Sequence, residues 1–223
     1  MVRRLALLHT VGSLIPTFKM LCDELVPEVD LFNMVDESLL QNCIREGRLS
    51  PTTSRRLVRL VVSAEEAGAD AVMVTCSSVG PAVELARSFV NIPVFRVDEP
   101  MANEAVRLGR RLGVAATLQT TLEPTVALLQ KTAEAQGKAV EIRTSICEGA
   151  FAALAAGDTA THDATVGATL QHMGTICDVV VLAQASMARV ASAVSVSQSA
   201  YVPMLSSPRL AIQFLKGIGH RER

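Results

Sequence analysis

Aromatic residues are nearly absent from this chain of 223 residues: no Trp, one Tyr and six Phe, or 3% in all. A core made without them must be aliphatic, and 49% hydrophobic residues suffice for a sizeable one. The same scarcity argues against a pocket for a large aromatic ligand. An excess of one charge is missing too. Lys and Arg number 21 against 22 Asp and Glu, for a net charge of -1, which excludes a nucleic-acid footprint or a polybasic membrane patch. No apolar run approaches the roughly 18 residues of a spanning helix, so no membrane partner is expected. The opening Met1-Val2-Arg3-Arg4 followed by Leu5 to Leu8 imitates a signal peptide. Its apolar stretch stops after four residues at His9-Thr10, however, and no small-residue cleavage site follows, so it reads as a first strand. The five cysteines (Cys22, Cys43, Cys76, Cys147, Cys177) are odd in number and lack CxxC spacing or a nearby His pair. That pattern fits a reduced, cytoplasmic protein better than a disulfide scaffold or a zinc site.

What is present is a repeat. Asp70 and Asp178 each introduce a short apolar run, and 178 − 70 = 108. The same shift pairs Leu14 with Leu122, Pro16 with Pro124, Thr17 with Thr125, Leu21 with Leu129, Ser78 with Ser186 and Pro100 with Pro208. A gap-free set of matches across half the chain indicates internal duplication.

Each half alternates strand and helix. The first reads as strand Leu5–Thr10, helix Leu14–Leu25, strand Val29–Val35, helix Pro51–Gly68, strand Ala71–Thr75, helix Val83–Phe89 and strand Pro93–Val97. The second reads as strand Leu112–Leu118, helix Glu123–Gln136, strand Val140–Ser145, helices Gly149–Ala156 and Ala164–Gly174, strand Val179–Ala183, helix Ser186–Ala193 and strand Tyr201–Leu205. Helices follow Pro100 and Pro208. Short apolar strands separated by helices predict parallel sheets covered on both faces, with right-handed crossovers placing strand C-termini along one edge. The expected fold is α/β: two pseudo-twofold-related lobes, each a parallel sheet flanked by helices, with the active site in the interlobe cleft. The lobes are expected to span residues 1–98 plus 208–223, and 99–207.

The chemistry-bearing candidate is Cys76. It follows the apolar run Ala71-Val72-Met73-Val74 and opens the polar turn Thr75-Cys76-Ser77-Ser78. Ligands in parallel sheets bind beyond the strand C-termini, and amide N–H groups there are expected to lower the thiol pKa toward neutrality. The second half repeats the unit as Val179-Val180-Val181-Leu182-Ala183-Gln184-Ala185-Ser186, with Gln184 in the thiol position.

Val72-Met73-Val74-Thr75-Cys76-Ser77-Ser78, the run Leu112-Gly113-Val114-Ala115-Ala116-Thr117-Leu118-Gln119-Thr120, and Leu182-Ala183-Gln184-Ala185-Ser186 together resemble the aspartate/glutamate racemase superfamily over almost the whole chain. That superfamily also includes hydantoin racemase, maleate isomerase and arylmalonate decarboxylase. The resemblance implies a cofactor-independent, metal-free enzyme acting on a small carboxylate. In its racemases two cysteines face each other across the substrate α-carbon. Cys76 matches the first of them; Gln184 stands in place of the second, and an amide is neither general acid nor general base near neutral pH. The resemblance places Ser77, Ser78, Thr117 and Thr120 at positions that bind substrate carboxylates, and their hydroxyls at strand ends and turns suit that role. It also implies a homodimer or higher homo-oligomer.

Candidates for work on the second face are Gln184, Ser186, His9 at the end of the first strand, and Glu148 after strand Val140–Ser145. His162, beside Asp163, reads equally well as a solvated helix cap. Two mechanisms are expected to compete: racemisation or epimerisation with Cys76 on one face and a non-cysteine acid on the other, or a one-thiol decarboxylation or isomerisation. A non-catalytic carboxylate-binding protein is the alternative outside catalysis. Plain structural roles exist for several of these residues. Ser77, Ser78 and Ser186 suit helix N-caps, Cys76 suits a small buried hydrophobe, and Arg55, Arg56 and Arg59 suit a solvated helix face.

Overall fold

The protein is described here by a computed structural model covering residues 2–197 and 202–220. Tyr201, expected to start the last strand, lies outside the described residues. The chain divides into two compact units, residues 1–99 with 208–223, and residues 100–207.

In the first unit, β1 (Arg4–His9), β2 (Asp30–Val35), β3 (Ala71–Val74) and β4 (Val94–Arg96) form a parallel sheet of order β2-β1-β3-β4. The period of two along each strand sorts the core into two layers. Ala6, Leu8, Val72 and Val74 pack on one face with residues of α2 (Glu37–Glu46), α3 (Pro51–Glu66) and α4 (Pro81–Ala86). Leu5, Leu7, Ala71 and Met73 pack on the other with α1 (Ile15–Leu25) and α10 (Ser207–His220), which supplies Ala211, Ile212 and Leu215. Every one of these strand residues is essentially unexposed, as a sheet covered on both faces requires.

The second unit repeats the plan. It comprises α5 (Glu99–Leu108, counted here from Pro100), β5 (Arg111–Ala116), α6 (Gln119–Ala135), β6 (Glu141–Ile146), α7 (Ala150–Ala155), α8 (Thr159–Ile176), β7 (Val179–Leu182), α9 (Ala188–Ser197) and β8 (Met204–Ser206), with parallel order β6-β5-β7-β8. The internal repeat survives in the element bounds: β3 and β7 start 179 − 71 = 108 residues apart, and α3 and α8 start 159 − 51 = 108 apart. Insertions shift the remaining strands; β2 and β6 start 141 − 30 = 111 apart.

Two elements depart from the sequence reading. Helix α2 occupies a stretch the reading leaves unassigned. Its ends carry ordinary signals, since the Asp36 side chain accepts from Ser38 N at 3.1 Å and Gly47 closes the helix at φ 67°. Helix α6 begins at Gln119, ahead of the expected Glu123, and so encloses Pro124. The proline ring removes the intrahelical N–H partner of the Thr120 carbonyl, a cost tolerated so close to the helix start.

The repeated aspartates act as strand staples. Asp70 Oδ2 accepts from the N–H groups of Arg3 and Arg4 at 2.9 Å each, and Asp178 Oδ2 accepts from Arg110 and Arg111 at 3.0 and 2.8 Å. Asp178 also binds the Arg111 guanidinium, and this hydrogen bonding, led by the side chain, brings its pKa down to about 2. A folded pKa below the ordinary value means stabilisation that is present above the unfolded pKa and disappears as pH falls through the folded one. In acid titration followed by circular dichroism, Asp178→Ala should therefore be less stable at neutral pH and lose part of the decline between about pH 4 and pH 2. An unchanged acid limb would refute the staple.

Candidate functional site

Sheet order makes the first candidate site. With β1 and β3 adjacent and β2 on the far side of β1, the chain reverses direction across the sheet between β1 and β3. Their C-terminal ends therefore bring residues 9–10 beside residues 75–78, some 66 positions away in sequence. Cys76 leaves β3 in an extended conformation (φ −129°, ψ 118°) and opens a one-turn 3-10 helix, Ser77–Val79, that runs into α4. Its thiol is approached by the Thr10 side chain, the N–H groups of Ser78 and Val79, and the Ser78 hydroxyl.

These hydrogen bonds favour the thiolate, as the sequence predicts, but they are outweighed. Cys76 keeps some exposure as a residue, yet burial of its thiol is the largest influence and pushes its pKa above the ordinary value. The expectation of a pKa lowered toward neutrality is thus corrected: desolvation wins over donation. Cys43 of α2 packs in the cluster that Cys76 borders, and its own pKa is pushed up to about 11, first by burial and next by Cys76.

His9 is fully buried and bridges two partners, with Nδ1 2.9 Å from Thr75 Oγ1 and Nε2 3.0 Å from Asn33 Oδ1. In the neutral tautomer with its hydrogen on Nε2, that nitrogen donates to Asn33, and Nδ1 shares the single Thr75 hydroxyl hydrogen with the Leu8 carbonyl, 3.1 Å from the same oxygen. Burial lowers its pKa, offset in part by Asn33. With both nitrogens engaged and Phe18 edge-on at 5.4 Å, His9 braces the strand ends. Ser77 and Ser78 are buried in the turn. Beneath it, Arg96 and Asp98 form a buried bidentate ion pair, with Nε to Oδ1 and Nη2 to Oδ2 both at 2.9 Å. A Cβ on Gly80 would stand 2.6 Å from the Arg96 Cζ, so glycine lets the turn rest directly on the guanidinium.

The corresponding strand ends of the second unit, β5 and β7, hold Thr117 and Gln184. Gln184 has the same extended backbone (φ −126°, ψ 143°) and opens the matching 3-10 turn Ala185–Met187. Its amide is spent on Thr117: Oε1 accepts from Thr117 N and Nε2 donates to Thr117 Oγ1, both at 2.8 Å. The side chain at the repeat position of Cys76 thus serves as a clip between two strand ends. Thr120 lies in the first turn of α6, whose N-cap, Leu118, has no side-chain oxygen to offer; the Thr120 hydroxyl is buried without a hydrogen-bond partner. Ser186 is half-buried in the 3-10 turn, and Glu148 is exposed after β6.

Sequence reasoning missed Thr10, Asn33, Cys43 and the Arg96–Asp98 pair. Only the last carried a local signal, two opposite charges beside a predicted strand. His162 proves fully buried, not a solvated cap: Nδ1 lies 2.7 Å from Asp163 Oδ1, which also accepts from Arg189, and Nε2 has no partner. Among the described residues no cluster of His, Cys, Asp and Glu is arranged to hold a metal, and no helix is long and apolar enough to cross a membrane.

Two parallel four-stranded α/β units, each presenting polar turns at the switch point of its sheet, define a duplicated α/β protein. The family model for Asp/Glu/hydantoin racemases matches residues 13–215, and the chain belongs to that family. A glutamate racemase from Bacillus anthracis superposes with a TM-score of 0.77 at 17% identity, covering 99% of this chain and 82% of that one. A glutamate racemase from Francisella tularensis, solved with D-glutamate, gives 0.76 at 14% identity over 99% and 81%. The allantoin racemase of Klebsiella pneumoniae gives 0.68 at 14% identity over 99% and 89%. At these identities the likeness is one of fold. No curated protein matches the sequence.

Proposed function

We propose that this racemase-family protein transfers a proton at the α-carbon of a small carboxylate substrate, using Cys76 and no cofactor. The observation that carries the proposal is the set of hydrogen-bond donors gathered on the Cys76 thiol at the β1/β3 switch point. Removing an α-proton, or losing carbon dioxide beside a carboxylate, builds an enediolate-like anion that needs preorganised donors. Each such donor typically contributes about 3 kcal/mol to the transition state. Ser77, Ser78, Thr117 and Thr120 are the hydroxyl residues we assign to the substrate carboxylate, and the unpartnered Thr120 hydroxyl supports its part in this.

The bound Gln184 and the raised Cys76 pKa favour a specific variant of the reaction. An amide clipped to Thr117 supplies no proton, and a thiol held above its ordinary pKa rests protonated, as a donor. Delivery of one proton from the Cys76 thiol to a carbanion, as in a decarboxylation or one-thiol isomerisation, therefore stands beside racemisation or epimerisation with Ser186, Glu148 or His9 on the second face. Of these three, His9 has both nitrogens occupied.

The experiment is a screen of small carboxylates in heavy water. Racemisation should wash deuterium into the α-position of unreacted substrate in the wild type and not in Cys76→Ala; decarboxylation should label the product alone. Binding of a carboxylate without exchange or turnover by the wild type would leave a binding protein and refute the enzyme reading.

A further inference from the structure

Thr10 and Thr117 hold equivalent places in the two units. Thr10 follows the last residue of β1 and Thr117 the last residue of β5, 117 − 10 = 107 positions apart. Each meets the residue leading out of the neighbouring strand: Cys76 in the first unit, Gln184 in the second, 184 − 76 = 108 apart. The hydrogen bonds across these two pairs run in opposite senses. The Thr10 side chain bonds the sulfur in the sense that favours the thiolate, so its hydroxyl donates.

In the second unit a backbone group sets the sense. A backbone N–H can only donate, so the Gln184 atom 2.8 Å from Thr117 N is its amide oxygen, and the orientation of the amide is not open to reversal. Gln184 Nε2 is then the atom facing Thr117 Oγ1, also at 2.8 Å, and it has only hydrogens to offer. Thr117 therefore accepts, and its own hydroxyl hydrogen points away from the clip. Two hydrogens are left over, one on Thr117 Oγ1 and the second on Gln184 Nε2. Neither has an acceptor among the described residues. Gln184 is half-buried and Thr117 8% exposed, so a ligand can reach the pair while bulk water competes weakly for it. Accepting from Nε2 also polarises the Thr117 hydroxyl toward stronger donation.

We propose that Gln184 is an oxyanion-binding residue, which with Thr117 presents two fixed donors to a carboxylate oxygen of the substrate. This rests on the carboxylate reading above and adds the residue that selects the group lying over the second strand end. Both leftover hydrogens are donors, so the subsite takes a carboxylate or carbonyl oxygen and offers nothing to an ammonium group. As an α-proton or carbon dioxide leaves, charge builds on that oxygen and the two donors bind it more strongly. The two strand ends thus do different work: Cys76 carries a proton, and Gln184 holds charge without titrating.

Acetate, followed by amide-resolved NMR, is the probe. Titration to about 0.5 M, enough to half-fill even a site with a dissociation constant of that size, should shift the Gln184 side-chain NH2 and the Thr117 amide saturably. Methylammonium chloride at the same ionic strength should not. Gln184→Met frees the Thr117 N–H and so separates two roles for the clip. If the clip forms the subsite, acetate binding read at the Thr117 amide should weaken by roughly tenfold, the ordinary loss with a hydrogen bond to a charged group. If the clip only blocks Thr117, binding tightens and the proposal fails. Gln184→Glu keeps an oxygen for the Thr117 N–H but draws the Thr117 hydroxyl hydrogen inward onto the carboxylate. It should abolish the acetate response while the rest of the spectrum overlays the wild type, which separates a reversed hydroxyl from a lost fold. An unshifted Gln184 amide in the wild type, a larger response to methylammonium than to acetate, or an acetate response retained in Gln184→Glu would overturn the proposal. None of these readings depends on turnover. Cys76-dependent α-exchange with Gln184 untouched by acetate would sink this inference and leave the enzyme reading standing; saturable acetate shifts without any turnover would do the reverse.

Discussion

Cys76→Ala is expected to lower turnover by about 10²- to 10⁴-fold, the usual contribution of one positioned proton-transfer group, with carboxylate binding little changed. The reasoning rests on what surrounds the sulfur. The donors from Thr10, Ser78 and Val79 persist when the thiol is removed, so the anion-binding character of the turn persists with them. The pH profile adds a sign. Because burial raises the Cys76 pKa above 9.0, a reaction that needs the thiolate in the free enzyme should have kcat/KM still climbing with pH beyond that value. A reaction that needs the thiol as proton donor should instead show a plateau through neutrality and fall only above it. Full activity in Cys76→Ala would end the thiol proposal outright, and Thr10→Val, which removes one donor from the sulfur, should move the alkaline transition upward.

Asp98→Ala is expected to destabilise the protein by about 3–5 kcal/mol in denaturant unfolding, the typical loss when one member of a buried ion pair is removed. Arg96 and Asp98 side chains are 6% and 1% exposed, so the guanidinium left behind would lose its hydrogen-bonded counter-ion with little water to replace it. Burial alone would lower the Arg96 pKa; Asp98, with Glu99 and Glu84, outweighs it and holds the group charged. The pair also supports the candidate site, since Arg96 packs under Gly80 and the Gly80 N–H closes the turn onto the Ser77 carbonyl at 3.0 Å. A companion variant, Arg96→Met/Asp98→Leu, should cost less than Asp98→Ala, because it removes both charges together. A loss below about 1 kcal/mol for Asp98→Ala would show that water reaches the guanidinium.

The legible parts of the fold were those written in short-range pattern. Leu5 to Leu8 and Val179 to Leu182 read as strands because continuous apolar runs of that length, bounded by polar residues, bury on both faces. Helix α2 escaped notice although Asp36 and Gly47 mark its ends, because its polar composition masks a thin apolar stripe ending on Leu39 and Cys43. Helix α6 starts at Gln119 and not at the expected Glu123, because Pro124 sits within its first turns, whereas Pro16 stands at the start of α1. At the candidate site, Cys76, Ser77 and Ser78 were visible as a polar turn after a buried strand. Thr10 and Asn33 were not, for nothing local connects them to residue 76.

The sequence by itself determined that this chain is a duplicated α/β protein of aliphatic core, with one thiol at a strand end and an amide at its repeat. These follow from local periodicity and from self-similarity, both readable along the chain. The tertiary structure alone decided that β1 lies beside β3, and so that Thr10 and His9 stand next to the Cys76 turn. It alone showed Gln184 clipped to Thr117, and the Cys76 thiol pushed up in pKa where its donors would have drawn it down. The physical reason is common to all three: strand pairing and desolvation are set by groups distant in sequence, and no local pattern encodes their balance.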